Sequence, residues 1–325
     1  MNLRQLRYLC HVVDAGYSIS AAARKLYTSQ PGISRQLSLL EGELGASIFS
    51  RRGNRIVGMT ETGRQVLQVA RRMLNDLRAL QRIGEGFSPE DSGRFVVGTT
   101  HTHARYVLPE VIRKFTRRYP NVQLVIRQEN ESRVADLVST GEADIGVTAQ
   151  PRESHSDLLG LPCYRLPRSV ITGPRHPLLR GGALTLGRIA RYPIITLDAS
   201  FAGGHKVLQG FAAAGLKPTV VMSAIDADVI KAYVALGLGV AILPTIAYVA
   251  ERDRDLRARD AKELFEPTVA CIQLRRNDYL PQYMIEFIQL LAPQWTDRAV
   301  MEALSTGQVP RRTVTELVRQ PYAVR

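Results

Sequence analysis

The chain has 325 residues, 45% hydrophobic and 22% charged, with 25 Gly and 17 Pro. These ordinary values exclude wholesale disorder, a collagen-like repeat and a small disulfide scaffold. Lys and Arg number 43 against 30 Asp and Glu, a net +13, and the surplus is concentrated, since residues 1–83 hold 13 cations against 5 acids.

Leu3, Leu6, Leu9, Val12 and Val13 recur at helical spacing and predict a first helix ending near Ala15, with Gly16 as its breaker. Ser18 is placed to cap a short, Ala-rich second helix whose Ile19, Ala22, Ala23 and Leu26 share a face. The stretch Tyr27-Thr28-Ser29-Gln30-Pro31 then turns the chain into a third helix through Ile33, Leu37, Leu40 and Leu44, Pro31 suiting its first turn. Two short helices across a tight turn form a helix-turn-helix, whose second helix enters the major groove of DNA. Thr28, Ser29, Gln30, Pro31, Ser34, Arg35 and Ser38 lie on or beside the start of that helix. Gln30 suits adenine and Arg35 guanine as bidentate partners, while Thr28 and Ser29 suit phosphate. Caps and a solvated face explain Thr28 or Ser29 singly just as well; the whole set beside a basic module favours DNA.

Ile48 to Ile56 predicts a two-stranded wing turning at Gly53-Asn54, with Arg51, Arg52 and Arg55 along the flanking phosphates or the minor groove. Thr60 can cap a long helix on which Val66, Ala70, Met73, Leu77 and Leu80 follow alternating steps of four and three. Arg64, Arg71, Arg72, Arg78 and Arg82 lie elsewhere on its cylinder. Such a seam packs either on the module's own core or against a second copy, and its heptad spacing favours the dimer.

GEGFSPEDSG, residues 84–93, reads as a hinge. Beyond it strands and helices alternate. Strands are predicted at Phe95–Thr99, Val122–Gln128, Asp144–Thr148, Val170–Thr172, Ile194–Leu197, Thr219–Met222, Val240–Leu243 and Thr268–Leu274. Helices are predicted at Arg105–Arg118, Arg133–Thr140 and around 205–214, 226–236 and 281–292. This is an α/β pattern, with ligands expected at the carboxyl ends of strands. Three strand-to-helix turns carry suitable chemistry: Thr99 to His103, Ser200 to His205, and Ser223 to Asp226, where Asp226 serves as a helix cap. Thr148, ending another strand, could face the same cleft. His101 and His103 could pair on a metal, but no acid or Cys lies at supporting spacing, and no nucleophile–base constellation assembles.

The longest apolar run, Val234 to Leu243, is far short of the roughly 20 residues of a membrane span. The N-terminus carries charges within its apolar stretch and no cleavage site, unlike a signal peptide. Cys10, Cys163 and Cys271 form no CxxC spacing, so a reducing cytoplasm is the expected compartment. Only 6 of the 43 cations are Lys, which fits bidentate phosphate contact and genomic composition bias equally.

Taken together these pieces resemble the LysR-type transcriptional regulators over essentially the whole chain. LRYLCHVVDAGYSISAAARKL, YTSQPGISRQLSLLEGELGASIFSR, MTETG, VGTTHTHARYVLP and LGLGVAILP carry the resemblance. YTSQPGIS, TTHTHARYVLP, LPCY, DADVIKAYVALGLGV and YMIEFIQLLAP are most similar to the CysB-like branch, regulators of sulfur assimilation. The resemblance implies an α/β chain with a winged helix-turn-helix at 1–60, a dimerising linker helix at 61–86 and a hinge at 87–93. It further implies a sensor resembling a periplasmic binding protein, one lobe from 94–162 with 268–295, the other from 163–267, and a tail at 296–325. Implied partners are promoter DNA, further copies in a dimer of dimers, RNA polymerase if the protein activates, and a small anion or acylated serine such as N-acetylserine. No cofactor, metal or membrane is implied.

In the implied cleft Thr100 and Thr102 keep the family's hydroxyls, and Thr99, Phe201 and Asp226 complete the site. The chain departs at His103, where the branch has Gln, and at Ala149 and Ala202, where it has Thr, the nearest hydroxyl being Thr148. Losing two hydroxyls while gaining a His that is cationic when protonated implies a different effector, such as a sulfonate. An unrelated small anion, an enzyme with a fused DNA-binding module, and a ligand-independent architectural DNA binder stand as alternatives.

Overall fold

A computed structural model describes residues 1–53, 55–85, 93–149, 155–276 and 278–309, excluding the side chains of 75, 78, 79 and 81–85. The chain forms two compact units, residues 1–88 and 89–325. Most of the hinge expected at 87–93, Asn54 of the wing turn, the side chain of Arg82 and that of Arg78 lie outside the described residues.

The first unit packs α1 (Leu3–Asp14), α2 (Ile19–Lys25) and α3 (Gln30–Leu44), followed by β1 (Phe49–Arg52), β2 (Arg55–Met59) and α4 (Glu61–Glu85). Leu6, Leu9 and Val12 of α1 are buried with Ala22 and Ala23 of α2, Ile33, Leu37 and Leu40 of α3, and Ile48 and Phe49. Each helix start is locally encoded. Asn2 and Gln5 form a capping box on α1, Ser18 accepts from the Ala21 N–H, and Ser29 accepts from the Gly32 N–H. Strands β1 and β2 pair antiparallel, with Arg52 opposite Arg55.

The seam predicted on α4 divides between two surroundings. Ala70 is buried in the unit's own core, with Val66 packed partly against it, and Leu74, which the seam omits, completes that face. Met73 and Leu80 are exposed, together with Val69. The step of four from Ala70 to Leu74 follows the 3.6-residue turn onto α1, where Arg71 also donates to Asp14 at 2.7 Å.

The second unit runs β3 (Gly93–Thr99), α5 (His101–Tyr106), α6 (Leu108–Arg118), β4 (Val122–Gln128), α7 (Glu131–Ser139), β5 (Ile145–Ala149) and β6 (Leu158–Leu166). It continues through β7 (Arg168–Thr172), α8 (Leu186–Ile189), β8 (Ile194–Leu197), α9 (Ala202–Ala213), β9 (Val220–Ala224), α10 (Ala227–Ala235), β10 (Val240–Pro244) and β11 (Arg257–Asp260). It closes with β12 (Thr268–Arg275), α11 (Gln282–Leu291) and α12 (Asp297–Thr306). Two five-stranded sheets result, ordered β4-β3-β5-β12-β6 and β11-β7-β10-β8-β9. In the first, β3 runs parallel to β4 and β5, and β12 returns antiparallel between β5 and β6. The chain passes from the first sheet to the second between Leu166 and Arg168 and returns ahead of Thr268, so two lobes share two crossovers. Their cores are separate, one built on Phe95, Phe115 and Phe287 and another on Phe211 and Phe265.

Four expectations change. The single helix predicted over Arg105–Arg118 is two, because Pro109 has no N–H for the Arg105 carbonyl and the chain kinks at Val107. The lobe boundary expected after residue 162 falls inside β6. Beside Pro162, which pairs with Cys271, a bulge takes up Cys163 opposite the step from Ala270 to Cys271, and Cys163, Tyr164 and Leu166 stay in the first lobe's core. Strand β11 is short and polar and carries no alternating pattern. The tail's Val300, Ala303 and Leu304 are buried against the first lobe's core, while residues 310–325 lie outside the described residues.

Candidate functional site

Two surfaces answer to the predicted chemistry, one in each unit. In the first unit Ser29, Gln30, Pro31, Arg35 and Ser38 are exposed along α3, with Thr28 and Ser34 half-buried beside them. Ser29 uses its oxygen as the helix cap, and Gln30 is oriented by the Ser20 hydroxyl, which donates to its Oε1 at 2.9 Å. Arg51 is tied down, donating to Glu41 at 2.9 Å. The same Glu41 accepts the backbone N–H groups of Ile48 and Phe49 at 2.8 and 3.1 Å, stapling α3 to the wing. Arg52 and Arg55 stand exposed across from each other at the wing tip.

In the second unit a cleft of about 410 Å³, including its open mouth, lies where strand ends of both lobes meet. Thr100, Thr102, His103, Ala149 and Phe201 line it. Thr99 and Thr148 do not. The Thr99 hydroxyl donates to the Val147 carbonyl at 2.6 Å, and that of Thr148 donates to the Ala149 carbonyl at 2.7 Å while accepting from Gln273 at 2.8 Å. Successive strand residues face opposite ways, so on β5 Ala149 takes the cleft and Thr148 the interior. Asp226 caps α10 through the Asp228 N–H at 2.6 Å, and Ile225 reaches the cleft in its place. Ala202 is buried and contributes through its backbone, donating to Glu131 Oε1 at 3.3 Å.

The positive charge anticipated at His103 is absent there. Burial lowers its pKa to about 4, leaving a neutral ring whose Nδ1 lies 2.8 Å from the Thr100 hydroxyl. The cation nearby is instead Arg168, a fully buried residue at the first crossover that lies behind the lining residues Gly203 and Thr268. Its Nη2 donates to the Thr268 hydroxyl at 2.7 Å, and its Nε and Nη1 have no partner among the described residues. Burial lowers its pKa only to about 10, so it stays charged at neutral pH. Glu131 also lines the cleft, its Oε2 unpartnered, and burial raises its carboxyl to about 7. Sequence reasoning missed both. The available signal was a single charge at the join of two apolar strands, LPRSVIT, and an acid opening a helix directly after a strand.

Beside the cleft, polar and charged side chains of the two lobes meet. His101 Nε2 lies 3.1 Å from Asp226 and 3.6 Å from Asp228, and Arg105 lies 3.3 Å from Asp228. The Tyr106 hydroxyl donates to Asp228 at 2.6 Å, its ring set in the second lobe's core. Burial pushes the Asp228 carboxyl up, but hydrogen bonds from Tyr106 and Lys231 and the charges of Lys231 and Arg105 outweigh it, holding it at about 2. Sequence spacing offered His101 no acidic partner, whereas the fold supplies two from the other lobe, with ligand atoms within 4.8 Å of one another. Asp228 is already engaged by Arg105, Tyr106 and Lys231, so these contacts tie α5 to the second lobe.

Residues 3–64 match the family described as bacterial regulatory helix-turn-helix protein, lysR family, and residues 88–296 match the LysR substrate binding domain. The chain is 42% identical over 300 residues to the HTH-type transcriptional regulator SsuR of Burkholderia cenocepacia, covering 92% of this chain and 97% of that protein. It is 40% identical over 304 residues to the HTH-type transcriptional regulator CysB of the same organism, covering 94% and 97%. Among solved structures, the cofactor-binding domain of the Cbl transcriptional regulator superposes with a TM-score of 0.63 at 34% identity, covering 66% of this chain and 93% of that one.

Proposed function

The chain belongs to the LysR family of bacterial transcriptional regulators, and from that premise we propose that it controls sulfur-metabolism genes in response to a small anionic effector bound in the interlobe cleft. The carrying observation is the cleft itself, lined by Thr100 and Thr102 and backed, behind Gly203 and Thr268, by a buried arginine without an acidic partner among the described residues. Thr100, Thr102, His103, Ala149 and Phe201 are read as effector contacts, and Ala202 as a backbone contact. Thr99, Thr148 and Asp226 support the loops that carry them. DNA is read by Gln30, Pro31, Ser34, Arg35 and Ser38 in the major groove. Thr28, Ser29, Arg52 and Arg55 approach phosphates, and Arg51 steadies the wing. The exposed Val69, Met73 and Leu80 on α4 support pairing of two copies, and two such pairs a dimer of dimers. No described helix is long and apolar enough to cross a membrane. The protein acts in the cytoplasm, without a cofactor and without turning over its ligand, and contacts RNA polymerase where it activates.

Regulation follows as linkage: an effector that binds one lobe arrangement better than another shifts the population of DNA-binding geometries by that difference and no more. With Ala149 and Ala202 offering no hydroxyl, the cleft favours a sulfonate over N-acetylserine. A thermal-shift panel of sulfate, thiosulfate, N-acetylserine and an alkanesulfonate is expected to give its largest stabilisation with the sulfonate. Tight N-acetylserine binding with an inert sulfonate would remove this assignment. Recovery of the bound compound unaltered after long incubation supports a sensor; a converted product would make the chain an enzyme.

The two DNA contacts separate by salt. Arg35→Ala is expected to relax preference at one base position by about 1–3 kcal/mol. Arg52→Ala is expected to weaken binding to all sequences alike and to reduce the salt slope by about one. Equal salt slopes for Arg52→Ala and wild type count against the phosphate assignment.

A further inference from the structure

We propose that Arg168 is the specificity-determining residue of the cleft, binding the effector's oxyanion head directly behind Gly203 and Thr268. The inference rests on the cleft being the effector site and names the charge that selects the ligand. A guanidinium has five N–H bonds, and here only Nη2 is engaged, leaving the Nε hydrogen and both on Nη1 without acceptors among the described residues. No carboxylate lies within ion-pair distance of it among the described residues, although the residue is fully buried. Removing an ion from water is unfavourable unless it is paired, so this arrangement is built for an anion arriving from outside the chain.

The route is visible in the wall. Gly203 and Thr268 both line the cleft, and a Cβ placed on Gly203 would sit 3.7 and 3.8 Å from Arg168 Nη2 and Nη1. The guanidinium therefore lies one atomic layer behind the wall, buried in this arrangement and separated from the cleft by the Gly203 backbone. Gly203 is also in the first turn of the 12-residue α9, whose amino end adds positive potential on the same side. Glu131, taking the Ala202 N–H at that helix end and lining the same cleft with its Oε2 unpartnered, asks the ligand for a hydrogen-bond donor as well. The class defined is a compact sulfonate, sulfate or carboxylate carrying a donor group. Arg168 and Thr268 stand at the two crossovers, so an anion held there bears on the hinge between the lobes.

The test is calorimetric titration of the full chain with sodium sulfate and with methanesulfonate, comparing wild type with Arg168→Gln, Gly203→Ala and Thr102→Val. Arg168→Gln and Gly203→Ala are each expected to weaken binding of either anion at least tenfold. The glycine variant keeps the charge and places a methyl in front of it, against only Leu197 Cδ1 at 3.1 Å, a flexible side-chain end. If Arg168→Gln fails to fold, Gly203→Ala decides alone. Weakening by Thr102→Val with wild-type affinity in the other two overturns the role of Arg168 and leaves the effector cleft intact. No binding by wild type, or equal binding by all four proteins, overturns both.

Discussion

Glu131→Gln is expected to stabilise the sensor unit by roughly 3 kcal/mol at pH 8 and to change it little near pH 4.5. Burial holds the Glu131 carboxyl at about 7 in the folded chain against an ordinary 4.5, outweighing the backbone N–H groups of Glu131 itself and of Ala202 that favour the carboxylate. A folded-state pKa raised in this way contributes stability that is fully present below 4.5 and lost as pH rises through 7. Gln keeps the acceptor for Ala202 and never ionises, so the gap between variant and wild type should open across that window and then plateau. Urea unfolding followed by Trp295, the only tryptophan, buried in the first lobe, reads it directly. Parallel pH profiles for the two proteins would sink the argument. The same carboxylate opposes an incoming anion, so wild-type affinity for sulfate should fall between pH 6 and 8, and that of Glu131→Gln should fall less. The other ionisable groups lining the cleft are His101 and His103 of α5, with Arg168 of β7 buried behind Gly203, and His103, held at about 4, stays neutral throughout.

What the chain discloses in advance follows the range of the interactions involved. Ser18 and Ser29 cap helices three residues away, so the helix-turn-helix is legible from local pattern alone. Thr100, Thr102 and His103 sit where a strand gives way to a helix, and that position is also local. Thr99 and Thr148 are harder, because which face a strand's last residue takes depends on register with strands distant in sequence. For Arg168 and Glu131 the local signal, a charge at a strand junction and an acid opening a helix, marks a position without disclosing its role. Their chemistry comes from burial and from missing partners, which arise only when β7, α7, α9 and β12 are brought to one place. His101 draws its acids from more than a hundred residues away. The dimer seam on α4 lies between these cases: its apolar period is plain, but how much the unit's own core claims is decided by α1.

Gly63→Ala is expected to destabilise the DNA-binding unit by about 3 kcal/mol or more and to abolish promoter binding. Helix propensity alone argues the reverse, since Ala is better than Gly inside a helix by about 1 kcal/mol. Packing reverses the sign. A Cβ at Gly63 would lie 2.8 Å from the carbonyl carbon of Ile48 and 3.1 Å from its Cα, and its oxygen is nearer still. These are backbone atoms that cannot rotate aside. Ile48 is also held from several sides: its N–H donates to Glu41 at 2.8 Å, and its carbonyl accepts the Thr60 N–H at 3.0 Å and the Thr60 hydroxyl at 3.2 Å. Thr60 then accepts the Gly63 N–H at 2.8 Å, closing a ring of contacts between the wing's base and the first turn of α4. The stretch MTETG carries that ring, which gives its glycine a steric reason. Thr60→Ala removes the cap without adding bulk and should cost about 1 kcal/mol, much less than Gly63→Ala. Chemical unfolding of the three proteins, with promoter footprints at matched salt, gives the comparison. A Gly63→Ala protein as stable as wild type would mean that the Ile48 backbone yields, and that wing and linker helix are less firmly joined than their hydrogen bonds imply.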